Sequence, residues 1–360
     1  MQSFHQTLFE RLPNVTVTKL LMSINMLVFI AMFINGAGFW HSPNDVQLIW
    51  GANFGPATQD KQWWRLGSAL FLHFGAIHLA LNSFALWDVG QLAERMYGHV
   101  RFAGIYFISG LSGNLLSLVV QGNLAVSGGA SGAIFGIYAA VLVFLWRERA
   151  AISAYEFRWL FWGGSAFAVF SIVLGFIIPG IDNAAHIGGF TTGLLTSIVF
   201  SQSITSRAMP IKYKLSAVFI IILTSFILFK NVPAPKYFWS DELLVRSQIN
   251  AFLYQDQAIN RSWLEIMHEG KEGIENFDTL AGKIDYLISD PYEKSFQELS
   301  SLPSNPALPS AMQLEQLLLY AEKRKQQSKA IAQKLRQNTE RENKKSIVKP
   351  PKNSENKSKN

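Results

Sequence analysis

FAGIYFISGLSGNLLSLVVQGNLAVSGGASGAIFGIYAAVLVFLW, Phe102 to Trp146, runs for 45 residues without an Asp, Glu, Lys or Arg. A helix needs about 20 mostly apolar residues to cross a hydrocarbon core about 30 Å thick. This stretch therefore accommodates two crossings, about 102–120 and 130–146. Outward from it, five more stretches qualify: about 20–38, 73–90, 159–179, 184–201 and 213–230. The last is the weakest, because its apolar core from Leu215 to Phe229 is short; Tyr213 and Trp239 stand where its interfaces would be.

Charge divides the chain in two. Residues 1–230 carry 13 Lys/Arg and 8 Asp/Glu, whereas residues 231–360 carry 19 and 17. The first part reads as a membrane domain and the second as a water-facing appendage. Membrane loops and a solvated tail account for the net positive charge, so no nucleic-acid partner is implied. The chain has no cysteine, which excludes disulfides, thiolate catalysis and Cys-based zinc sites. Residues 1–19 are polar and mixed, with no cleavable signal peptide expected and a cytoplasmic N-terminal segment instead.

Lys and Arg in short loops set orientation. With the N-terminus inside, the cytoplasmic segments hold Arg11, Lys19, Arg95, Arg101, Arg147, Arg149, Arg158, Arg207, Lys212 and Lys214, against Lys61 and Arg65 outside. Seven spans then leave the C-terminal region on the outer side. The first outer loop, about 39–72, is long and aromatic (Phe39, Trp40, Trp50, Phe54, Trp63, Trp64), as suits the headgroup level. Beyond the spans, helical periodicity recurs around Leu243–Leu264, Ile274–Ile288 and Met312–Leu335, with a break at Pro303, Pro306 and Pro309. The Lys-, Asn-, Ser- and Pro-rich tail, 341–360, reads as disordered.

Polar residues inside spans are costly and usually functional. The second span carries His73, His78 and Asn82, the fourth opens on Ser131 and the sixth on His186. His78 and Asn82, four apart, share a helix face. At a rise of 1.5 Å per residue, Ser131 lies roughly 24 Å from the inner boundary charge Arg147, and His78 roughly 24 Å from Glu94. His186 lies roughly 6 Å in from outer Asp182. All three sit at one level, and groups on separate helices can react together only if they do. A serine hydroxyl needs a base, usually histidine, to become a nucleophile, and acyl transfer needs donors for the oxyanion. Ser131 and His186 can form a dyad, with the Ser131 N–H, His78 and Asn82 as donors. No carboxylate at this depth offers a third member.

The bland reading is that Gly129-Ala130-Ser131-Gly132 and Gly189-x-x-x-Gly193 are small-residue packing faces. The segment is also not the G-x-S-x-G elbow, since it lacks the second glycine and the strand context. What favours chemistry is the constellation rather than any single member.

That constellation resembles the rhomboid intramembrane serine proteases. The resemblance rests on Trp64-Arg65, His73, His78-x-x-x-Asn82, Glu94-Arg95, Gly129-Ala130-Ser131-Gly132 and Ala185-His186-x-x-Gly189-x-x-x-Gly193, in that order, and covers about residues 15–205. It implies a six-helix catalytic bundle (20–205) and a seventh transmembrane helix (206–230); it does not reach 231–340, which charge and periodicity mark as a helical soluble region. It implies Ser131 as nucleophile, His186 as base and His78, Asn82 and Ser131 as the oxyanion site. Trp64, Arg65, Glu94, Arg95, Gly129, Gly132, Gly189 and Gly193 are structural by the same resemblance. No metal or cofactor is implied. The expected partners are transmembrane protein substrates and the bilayer, and the expected location is a bacterial inner membrane. One departure is Phe135, where a tyrosine often stacks on the catalytic histidine. The alternatives are a catalytically silent rhomboid-like protein that binds membrane clients, or a proton-coupled transporter using His78 and His186 as relays.

Overall fold

A computed structural model of the chain describes residues 4–202 and 208–348. Among these residues the regular elements are helical, apart from one isolated antiparallel bridge between Asn53 and Ser127. Seven helices correspond to the seven apolar stretches: α1 (Thr16–Ile34), α2 (Ala76–Tyr97), α3 (His99–Gln121), α4 (Ser131–Glu148), α5 (Ala154–Ile177), α6 (Asn183–Val199) and α7 (Ile211–Lys230). Helices α1, α3, α4, α5 and α7 are each long and apolar enough to cross a bilayer, and α2 joins them when taken with Arg65–Phe71, from which it turns by 90°. The chain is an all-α polytopic membrane protein.

Two of these helices depart from their hydropathic bounds for a common reason. Helix α2 extends seven residues beyond the expected end of its span, through Glu94 and Arg95, and α1 begins four residues early, at Thr16. The buried Glu94 carboxylate explains both. It accepts hydrogen bonds from Val17 N (2.8 Å), Thr18 N (2.7 Å) and Thr18 Oγ1 (2.6 Å), and it also bonds His99 Nδ1. It thereby satisfies the orphan amides at the start of α1. A charge that reads as a helix end is in fact a buried cap supplied from a neighbouring helix. Gly98, at φ +79°, takes the left-handed conformation that glycine adopts without steric cost and folds α3 back against α2.

Helix α4 is the centre of the bundle: Ala133 to Leu142 are buried without interruption. Helix α6 packs on α3 and α4, while α5 and α7 are peripheral and bury little. The core around α4 includes Tyr97, Phe102, Tyr106 and Phe144, and the Tyr97 hydroxyl is satisfied by Ala140 O at 2.8 Å. The long loop between α1 and α2 is a knot of short helices. Arg65 ties it together, donating from Nη1 to Leu48 O (2.7 Å) and Ala52 O (3.1 Å) and from Nε to Gln62 Oε1 (2.8 Å).

Packing divides the chain into two units, Met1–Phe238 and Trp239–Asn360. The segment 231–238 therefore groups with the membrane unit, although its composition placed it with the soluble region. The second unit contains α8 (Trp239–Glu272), α9 (Phe277–Ile284), α10 (Asp290–Ser300) and α11 (Ala311–Val348). Val245, Ile249, Phe252, Ile259 and Ile266 form the buried stripe of α8. Tyr292, fully buried on α10, donates to Asp256 Oδ1 (2.7 Å) and accepts from Arg324 Nε (3.2 Å). Helix α11 continues through 341–348, where disorder was expected; residues 349–360 and Arg207 lie outside the described residues.

Candidate active site

Ser131 is the first residue of α4. The helical ladder begins with Ile134 N donating to Ala130 O at 3.0 Å, so the Ser131, Gly132 and Ala133 amides have no intrahelical acceptor. They form the positive end of the helix dipole beside the serine hydroxyl. Ser131 is partly exposed, whereas the residues that follow it are buried.

His186 lies in the first turn of α6, and its Nε2 is 2.9 Å from Ser131 Oγ. The two predicted partners, 55 residues apart, are thus within hydrogen-bonding distance. Phe135, one turn past Ser131, stacks on the His186 ring with centroids 4.3 Å apart and planes 17° apart. The ring stacking expected of a tyrosine there is kept without the hydroxyl.

Glycines make this approach possible. A Cβ on Gly189 would lie 1.9 Å from Gly132 O, and one on Gly193 would lie 2.3 Å from Gly136 O. No side chain fits at either position, so the backbones of α6 and α4 touch along the Gly-x-x-x-Gly face. Gly132 in turn lies against Ala185 O, where a Cβ would sit at 3.1 Å.

His78 and Asn82 occupy the first two turns of α2. Gly129, at φ +141°, has room for no side chain because a Cβ would meet His78 Cε1 and Nε2 at 2.9 Å. The His78 ring therefore abuts the backbone two residues before Ser131. Its Nδ1 accepts from Phe74 N at 3.4 Å, which leaves the Nε2 side to carry the proton in the neutral ring. Asn82 is buried and gives one amide hydrogen to His78 O at 2.9 Å. His73 is fully buried in the extended stretch before α2, with its ring 5.1 Å from that of His78 and its carbonyl accepting from Gln47 Nε2 at 3.0 Å. Trp64 lies on the loop surface with the Arg65 guanidinium over it at 5.0 Å, and Arg95 donates to Gln91 O and Oε1 at the opposite end of α2. Those motif residues stand away from the dyad.

In the sequence Asp182 marks only the outer boundary of the sixth span. In the structure it is the N-cap of α6, accepting from Ala185 N at 3.0 Å, and it accepts from Gln121 Nε2 at 2.9 Å and from the hydroxyls of Ser117 and Ser127. One carboxylate thus ties the helix of His186 to α3 and to the loop that delivers Ser131. It is fully engaged in this work and does not bond His186. The legible signal was Asp182 just before the Asn-Ala-Ala-His run, where an N-cap residue is strongly favoured. Ser127 adds a second tie, exchanging backbone hydrogen bonds of 2.8 Å in both directions with Asn53 in the first loop. Among the described residues no group of three or more His, Asp or Glu side chains could hold a metal ion.

The rhomboid-domain family model matches residues 60–203, the stretch that contains all these site residues. The chain belongs to the rhomboid family. Rhomboid protease GluP of Bacillus subtilis is 31% identical over 257 residues, covering 71% of this chain and 45% of that protein. Putative rhomboid protease YdcA of the same organism is 29% identical over 197 residues, covering 55% of this chain and 93% of that protein. RHOMBOID-like protein 2 of Arabidopsis thaliana is 36% identical over 165 residues, covering 45% and 50%. The chain thus spans about half the length or less of GluP and the plant relative. The GluP alignment is longer than the 230 residues preceding the C-terminal region, so that likeness reaches into a part that the motifs alone left uncovered.

Proposed function

We propose that this rhomboid is an intramembrane serine protease that hydrolyses peptide bonds in or near the transmembrane segments of membrane proteins. The observation that carries the reading is the 2.9 Å approach of His186 Nε2 to Ser131 Oγ at the N-terminus of a buried helix. His186 Nε2 takes the hydroxyl proton as Ser131 Oγ attacks the scissile carbonyl carbon. Negative charge then develops on the carbonyl oxygen, where the Ser131 N–H, the His78 Nε2–H and the second Asn82 amide hydrogen are the donors. His186 passes the proton to the leaving amine nitrogen as the C–N bond breaks, leaving an acyl ester on Ser131. A water molecule, deprotonated by His186, attacks that ester and releases the carboxylic product. Asp182, already committed to four donors, holds the helices in place and takes no part in proton transfer.

The bias of Lys and Arg supports a cytoplasmic N-terminus in a bacterial inner membrane, with the dyad toward the outer leaflet. The residues following α7 bond to the aromatic outer loop, which supports an outer location for the C-terminal region as well. No observation favours the silent client-binding or transporter readings. A fluorophosphonate, which reacts with an activated serine, tests the proposal: the purified protein should be labelled at Ser131, and absence of labelling under conditions where the fold is intact would contradict it.

A further inference from the structure

Residues 231–238 are more than a connection between α7 and α8. Gln59 Nε2, in the first loop, donates to Pro233 O at 2.8 Å. Asn123, in the loop between α3 and α4, holds the segment at two points: its Nδ2 donates to Ala234 O at 2.9 Å and its Oδ1 accepts from Lys236 N at 2.9 Å. The Tyr237 ring lies 6.4 Å from Phe54, and Phe229 at the end of α7 lies 5.0 Å from Trp63. Two prolines, Pro233 and Pro235, limit the conformations of this short strap. Beneath it the two loops are themselves joined. Gly55 N donates to Gly122 O at 2.9 Å, Asn53 and Ser127 exchange their bonds, and Gly129 N donates to Ala69 O at 2.8 Å. The continuous series therefore runs from the strap through Asn123 and the 122–130 loop to Ser131.

We infer that the strap Pro233–Tyr237 is a positioning element of the active site, and that Asn123 is the positioning residue through which it fixes the loop carrying the Ser131 nucleophile. The inference rests on the protease reading above. Its bonds are few and solvent-exposed, so each is individually weak and the strap can be released without unfolding the bundle.

The test uses the full-length protein with Asn123→Ala, which removes both strap bonds while leaving the Gly55–Gly122 and Asn53–Ser127 backbone pairs, and Lys236→Pro, which removes one donor from the strap side. The rate of fluorophosphonate labelling at Ser131 and the kcat and KM for a transmembrane substrate are read beside the thermal midpoint. Asn123→Ala should slow labelling and lower kcat by about five-fold at unchanged KM, as loss of two individually weak, solvent-exposed hydrogen bonds would. Lys236→Pro should act in the same direction, the double variant should be no slower than Asn123→Ala, and the thermal midpoint should stay near that of the parent. Labelling at the parental rate in both single variants would overturn the inference, as would additive losses that track the thermal midpoint. Failure of the parent itself to be labelled would instead refute the protease reading, so the two failures are distinguishable.

Discussion

His186 is constrained from three directions: Phe135 stacks on its ring, Ser131 Oγ meets its Nε2, and Asp182 fixes the start of its helix. Of these contacts, the Ser131–His186 pair was legible because the chemistry demands two residue types at one membrane depth, and so few polar residues occupy the spans. Asp182 was not legible in the same way. Its partners Ser117, Gln121 and Ser127 lie 55 to 65 residues upstream, and nothing local marks a serine as the partner of a distant carboxylate. Asp182→Ala should lower stability by about 1–2 kcal/mol through loss of the cap alone, and should slow serine labelling because the base-bearing helix loosens. Asp182→Asn retains the capping oxygen and should recover most of the stability. Melting curves in detergent, read with labelling rates, check this; an Asp182→Ala protein that melts and labels like the parent would remove Asp182 from the account.

The element that decides the geometry is the α4–α6 contact. Gly189 and Gly193 were readable as a Gly-x-x-x-Gly face, but the pattern does not name its partner; the structure supplies Gly132 and Gly136. With only 1.9 Å between a Gly189 Cβ and Gly132 O, Gly189→Val must part the helices and move His186 away from Ser131. Overpacking of this kind typically costs about 1–3 kcal/mol, occasionally more, and labelling should fall with stability. A Gly189→Val protein with parental melting and labelling would show that the close approach does not exist in the membrane. Helix ends were read less well than helix faces, because a charge at the end of an apolar run usually means water. Glu94 is instead buried against α1, and that arrangement depends on a neighbouring helix that hydropathy does not see.

On the scale of the whole molecule, two units follow one another along the chain, divided after Phe238, whereas the rise in charge density begins near residue 231. The eight-residue discrepancy at their boundary arises because the strap is polar and proline-rich in composition yet bonded to the membrane unit. The C-terminal unit should be sensitive to alkali. Burial holds the Tyr292 phenol above its ordinary pKa of 10.0, so the folded unit keeps a proton that the unfolded chain loses. Stability is therefore fully present below pH 10.0 and declines as pH rises beyond it. Tyr292→Phe should flatten that decline in far-UV melts of the full-length protein; an unchanged alkaline slope would locate the titration elsewhere. For orientation, a reporter fused at about residue 340, active only outside the cytoplasm, should give signal. A cytoplasmic signal would contradict the outer location proposed for the C-terminal region.

If Ser131 is the nucleophile and His186 its base, removal of either side chain must abolish cleavage. Purified parent, Ser131→Ala and His186→Ala proteins are matched for folding by melting in detergent, then incubated with a transmembrane substrate whose cleavage is followed by the appearance of a new N-terminus. Cleavage is expected from the parent alone, with both variants folded and inactive. Undiminished cleavage by folded Ser131→Ala would contradict the assignment of Ser131 as nucleophile.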